Sequence, residues 1–84
     1  MKKITVRYFA SIREAIGQGS EALETSATTL GALRDELIAR GGAHASSLAR
    51  GRAVRMALNQ TLSDESATLA EGAEVAFFPP VTGG

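Results

Sequence analysis

The sequence predicts an α+β fold, a mixed sheet with one main helix packed across it. Three stretches carry that expectation. Lys3 to Phe9 alternates, with Ile4, Val6 and Tyr8 on one face and Thr5, Arg7 and Phe9 on the other, the period of a strand. Leu30, Leu33, Leu37 and Ile38 are spaced as one stripe of a helix. Glu74 to Phe78 is a short, largely apolar run that Pro79 stops, because proline cannot donate to a ladder.

The elements follow in chain order. After the first strand, Ala10 to Ile16 is a candidate short helix, with Ile12 and Ile16 four apart and Gly17 to end it. Ser20 to Ala27 is a weaker strand centred on Leu23 and Thr25. Thr29 caps the main helix and Gly41-Gly42 terminates it. Gly31 in its first turn costs about 1 kcal/mol against alanine, so tertiary packing has to hold that helix. Ala43 to Arg52 has little periodicity and reads as a loop, with room for one helical turn around Ser47 to Arg50. Val54, Met56 and Leu58 alternate with Ala53, Arg55 and Ala57 in a third strand. Asn59-Gln60 turns the chain into Thr61-Leu62-Ser63, and Asp64-Glu65-Ser66 is polar and turn-like. Glu71-Gly72 leads into the last strand. The globular domain is expected over 1–78, and 79–84 is expected to be an extended, flexible C-terminal tail ending in Gly-Gly.

Composition narrows the function. With 84 residues, 44% hydrophobic and 21% charged, the chain is a single ordinary globular domain. Nine basic and nine acidic residues balance, which removes the electrostatic footprint of a nucleic-acid binder. Without cysteine there is no disulfide, zinc-thiolate site or thiol nucleophile. No apolar run approaches a membrane span, and Met1-Lys2-Lys3 leads into an alternating segment rather than a signal-peptide core. A soluble cytoplasmic protein is expected, with no membrane partner.

The usual catalytic constellations are missing. His44, the one histidine, reads as a solvated loop residue: a single imidazole is a poor ligand set and an incomplete triad. Asp64 with Glu65, and Glu71 with Glu74, flank turns and read as solvated carboxylates. Gly17-Gln18-Gly19-Ser20 lacks the full glycine pattern and the Lys-Ser/Thr of a phosphate loop. Arg50 and Arg52 read as a solvated edge, with a contact to an acidic partner as the sharper alternative. As an autonomous enzyme the chain looks unequipped, and no cofactor or metal is expected on it.

The remaining signal is FFPPVTGG, residues 77–84. Pro79 and Pro80 direct the chain away from the sheet, and Val81 and Thr82 favour extended geometry. Gly83 and Gly84 have no Cβ, so their backbone fits a narrow tunnel and leaves the last carbonyl carbon open to attack.

The block from Glu74 to Gly84 resembles the C-terminal signature of the small subunit of molybdopterin synthase, a sulfur carrier with the ubiquitin-like β-grasp fold. Agreement extends to Met56-Ala57-Leu58-Asn59-Gln60-Thr61-Leu62, to Val6-Arg7-Tyr8-Phe9-Ala10 followed by Ile12-Arg13-Glu14, and to Thr29-Leu30-Gly31-Ala32-Leu33-Arg34. It covers nearly the whole chain, except Gly42 to Arg52. Family members often carry Asp in the final turn, where this chain has Glu71-Gly72-Ala73-Glu74.

The resemblance implies that an activating enzyme adenylates Gly84 with ATP and magnesium, and that a sulfur donor protein converts the adenylate to a thiocarboxylate. The tail, threaded through Gly83, then enters a large subunit and delivers sulfur to cyclic pyranopterin monophosphate, building the molybdopterin dithiolene. It implies a heterotetramer with two copies of each subunit, in which this chain is a non-autonomous part of the sulfurtransferase. It also implies a partner interface of Phe9, Leu62 and Phe78 that continues into Pro79, Pro80, Val81 and Thr82. Strand parity points the same way: with Val75 and Phe77 inward, Phe78 faces out alongside Phe9. A thiamine-pathway sulfur carrier and a ubiquitin-like protein modifier would use the same glycine and remain as alternatives.

Overall fold

Alternating side chains in strands from opposite ends of the chain decide how the domain closes. The computed structural model describes residues 1–80. In order these form β1 (Lys2–Tyr8), α1 (Ala10–Ile16), β2 (Ser20–Thr25), α2 (Leu30–Ile38), α3 (Gly42–Leu48), β3 (Arg55–Leu58), β4 (Thr61–Ser63) and β5 (Glu74–Phe78). The sheet order is β2-β1-β5-β3-β4. β1 and β5 run parallel, and the other neighbours are antiparallel. This is the mixed sheet of the ubiquitin-like β-grasp fold.

Register sorts the two faces. Val6 lies opposite Val75, and Tyr8 opposite Phe77, which is in turn opposite Met56. All five are buried, Phe77 completely, at 0% exposure. Leu30, Leu33 and Leu37 from α2, with Leu48 and Leu69, complete one continuous core against this face. The Tyr8 and Phe77 rings stack within it, 6.3 Å between centroids and 18° apart in plane.

Local chemistry places the helices. Gly17, at φ 89°, ends α1 and donates its N–H to the Arg13 carbonyl at 2.8 Å. Thr29 Oγ1 caps α2 by accepting from the Ala32 N–H at 3.1 Å. Gly31 has a packing reason: its N–H reaches the Glu65 carbonyl at 2.9 Å, and a Cβ there would sit 3.1 Å from the Glu65 Cβ. The loop after β4 therefore lies directly on the first turn of α2.

The structure corrects the reading of residues 43–52. Gly42–Leu48 is a helix rather than a loop, and Gly41 and Gly42, at φ 77° and 57°, make the reversal into it. Only Ser47 and Leu48 of α3 are buried, so no apolar stripe marks it. Its end is held instead by Arg34 of α2, 5% exposed, which donates Nε to the Leu48 carbonyl and a terminal nitrogen to the Ala49 carbonyl, both at 2.8 Å. Those carbonyls are the acceptors a helix end leaves unpaired. Strand limits differ from expectation by one or two residues: β1 stops at Tyr8, β2 at Thr25, and β3 starts at Arg55.

Because Phe77 fills the centre of the core, Phe77→Ala is expected to lower unfolding free energy by roughly 3–5 kcal/mol, measured by chemical denaturation. A loss below about 1 kcal/mol would place Phe77 outside the core.

Candidate functional site

The face of the sheet away from the helices carries the main surface depression. Its middle row is Arg7, Ala76, Ala57 and Leu62, each opposite the next on β1, β5, β3 and β4. Toward the end from which Pro79 leads away, Phe78 lies opposite Arg55. Phe9 continues β1 by donating its N–H to the Phe77 carbonyl at 3.2 Å, which brings it alongside Phe78. Ala10 then turns the chain into α1 with φ 51°, a strained value for a residue with a Cβ.

This places the sequence-derived site residues in two groups. Phe9, Phe78, Pro79 and Pro80 line one open depression, floored by the small side chains of Ala57 and Ala76. Phe9 is 41% exposed, and Phe78 is half-buried rather than fully exposed, as are Pro79 and Pro80. Leu62, 62% exposed, belongs to a second, smaller depression that it shares with Arg55. It stands beyond the alanine pair, about 10 Å from β5 at the ordinary strand spacing. Val81, Thr82, Gly83 and Gly84 lie outside the described residues.

The main depression is lined mostly by apolar side chains. Its charged pair is Arg7 with Glu74 at 3.7 Å, 47% and 34% exposed, a pair worth less than about 1 kcal/mol in water. The Arg7 guanidinium also sits 5.6 Å from the Phe9 ring centroid. Among the described residues no three His, Asp or Glu side chains are grouped to hold a metal, and no helix is long and apolar enough to cross a membrane.

The charged residues elsewhere hold the fold together. His44 is not solvated: its side chain is 17% exposed, its Nε2 lies 3.0 Å from Glu21 Oε2, and its ring meets Tyr8 edge-on at 5.8 Å. The Tyr8 hydroxyl donates to the same oxygen at 2.7 Å, and Arg40 donates to Glu21 Oε1 at 2.9 Å. Desolvation pushes the Glu21 carboxyl up, but donors from Tyr8, His44 and Arg40 outweigh it and hold the group at about 2. Burial, reinforced by that carboxylate, raises the Tyr8 hydroxyl far above its ordinary range. Sequence reading missed this cluster because its members lie on β1, β2, α3 and just past α2, with no spacing to betray them.

Glu65 and Arg50 are likewise committed. Arg50 pairs with Asp35 at 2.8 Å and with Glu65, and Glu65 also takes Arg34 at 3.1 Å. Arg50 is thus an intramolecular clasp on α2 rather than a solvated edge. Asp64 caps its own turn by accepting from Ser66, and Glu71 accepts from the Lys3 N–H at 3.1 Å.

A model of the ThiS family matches residues 6–84. Curated relatives from Haemophilus influenzae and Escherichia coli, both named molybdopterin synthase sulfur carrier subunit, are each 41% identical over 81 residues. Each alignment covers 96% of this chain and 99% of the relative. Among solved structures, a putative molybdopterin converting factor subunit 1 from Pyrococcus furiosus superposes with a TM-score of 0.79 at 26% identity, over 96% of this chain and 100% of that one. A chain from the complex of subunits 1 and 2 of the molybdopterin-converting factor of Helicobacter pylori matches with a TM-score of 0.68 at 26% identity, over 98% and 99%.

The Glu21 cluster sets an acid limit on the fold. Glu21 is lowered in the folded state from 4.5 to about 2, so its contribution is complete above about pH 4.5 and is lost as pH falls towards 2. Between about pH 5 and about pH 2 the wild type is expected to lose about 3 kcal/mol more stability than Glu21→Gln, measured by urea unfolding across that range. Parallel pH profiles for the two proteins would remove Glu21 from this role.

Proposed function

The chain belongs to the ThiS family, and from that premise we propose that it is the sulfur-carrier small subunit of molybdopterin synthase. One observation carries this reading: 41% identity along 96% of the chain to relatives of that name, which it spans almost end to end. A thiamine-pathway carrier or a protein modifier would use the same glycine; the names of these relatives favour the molybdopterin reading.

In the proposed cycle this chain contributes a carrier group and a docking face. The carboxylate of Gly84 attacks the α-phosphorus of ATP held with magnesium by an activating enzyme, and pyrophosphate leaves. A sulfide-level sulfur from a donor protein then attacks the acyl carbon, AMP leaves, and a thiocarboxylate remains. Gly83 and Gly84, without Cβ atoms, let the tail pass a narrow entrance, with Val81 and Thr82 extending its reach. Inside a large subunit the thiocarboxylate sulfur bonds to a carbon of cyclic pyranopterin monophosphate as an oxygen substituent leaves, and water then cleaves the acyl–sulfur bond, returning the Gly84 carboxylate and leaving sulfur on the pterin. Acids, bases and nucleotide contacts come from the partners, in keeping with a site whose charged side chains, among the described residues, are the weakly paired Arg7 and Glu74. The assembly is a heterotetramer of two small and two large subunits in the cytoplasm. The Helicobacter pylori complex of subunits 1 and 2 supports a large-subunit partner. The exposed Phe9 and Leu62 and the half-buried Phe78, Pro79 and Pro80 supply an apolar face for it.

Incubation with ATP, the cognate activating enzyme and a sulfur source is expected to raise the intact mass by the exchange of one oxygen for sulfur, mapped to the peptide ending in Gly84. Sulfur mapped to an internal peptide would overturn the carrier chemistry. Gly84→Val should abolish transfer while the thermal melt stays unchanged. Phe78→Ala is expected to weaken large-subunit binding by about 2 kcal/mol, roughly thirtyfold in Kd, by calorimetric titration. Unchanged affinity would remove Phe78 from the interface.

A further inference from the structure

Two arginines border the aromatic pair, and their surroundings say what kind of surface has to cover it. Arg55 is exposed on β3 and is the direct cross-strand neighbour of Phe78, close enough for side chains to touch. Arg7 flanks Phe78 diagonally from β1, opposite Ala76. Among the described residues Arg55 forms no ion pair. Asp64 and Glu65 line the same smaller depression as Arg55, but Asp64 is engaged by Ser66, and Glu65 by Arg34 and Arg50. Among the described residues the one ion pair of Arg7 is the 3.7 Å contact with Glu74, beside its placement over the Phe9 ring.

A partner that buries Phe9 and Phe78 necessarily dehydrates part of Arg55 and Arg7. A guanidinium cannot shed its proton at neutral pH. Covering it without a counter-charge is therefore strongly unfavourable, whereas a carboxylate can meet it with paired hydrogen bonds. A nucleic-acid backbone would supply anions too, but the chain has no net positive charge, and the arginines edge an apolar patch suited to protein. Resting on the reading that a large subunit covers this face, we infer that Arg55, assisted by Arg7, is a specificity determinant. The cognate large subunit presents carboxylates beside the apolar socket that receives Phe9 and Phe78. A large subunit with a neutral or basic rim there would be rejected.

The test is titration of the cognate large subunit with wild type, Arg55→Lys, Arg55→Glu and Phe78→Ala at about 50 mM and about 500 mM salt, with association rates by stopped flow. Exposed rim charges act mainly through association rate and its salt dependence. Arg55→Glu is therefore expected to bind at least about tenfold more weakly at low salt, chiefly through slower association, and to close much of that gap at high salt. Arg55→Lys should keep most of the association rate, and Phe78→Ala should weaken binding at both salt concentrations. Lysine in place of the facing carboxylate of the large subunit should restore Arg55→Glu. If Arg55→Glu binds like wild type while Phe78→Ala is weakened, the inference is overturned and the docking face stands. If Phe78→Ala also binds like wild type, the docking face itself is wrong.

Discussion

The parallel pairing of β1 with β5 is the contact on which the other arrangements depend. With Val6 opposite Val75 and Tyr8 opposite Phe77, one parity of both strands is committed to the core. A slip of one residue would exchange Phe77 for Phe78 and turn each strand inside out. Because the register is held, the helices find a continuous apolar surface to cover. The outer face keeps its aromatics at the end from which Pro79 leads away. The proposed docking face is therefore a by-product of the core register and needs no element of its own.

Charge completes what an aliphatic core leaves loose. Hydrophobic burial is non-directional, so leucines alone specify poorly how α2 and α3 sit against each other and against β2. Arg34 ties α2 to the end of α3, and Glu21 ties β2 to Tyr8, His44 and Arg40. Among the described residues no buried side-chain polar atom lacks a partner, the condition under which such networks help rather than harm. These networks lie at the helices, and among the described residues they leave Arg55 without an ion pair on the opposite side of the sheet.

What was legible in the sequence was whatever has a period or a cap. Ile4, Val6 and Tyr8, the α2 stripe with Thr29, Gly17 after α1, and Phe77 against Phe78 were all readable because each signal spans only a few residues. The α3 helix was not, since only Leu48 of its apolar side chains is buried and its support comes from an arginine on another helix. His44 and Arg50 were misjudged for the same reason: their partners lie 23 and 15 residues away. Gly31 looked like a weakness of α2 and proved to be the space into which residue 65 fits. On the docking face, parity gave Phe9 and Phe78 their common side, while the separation of Leu62 beyond two alanines required the strand order.

β5, the last strand before the tail, is the middle strand of the sheet rather than an edge. Without β5 the ladder that joins β1 to β3 is missing, so the core closes only around a chain that runs through Phe78. The topology makes β5 a keystone: the two halves of the sheet are joined only through the segment that leads to Pro79.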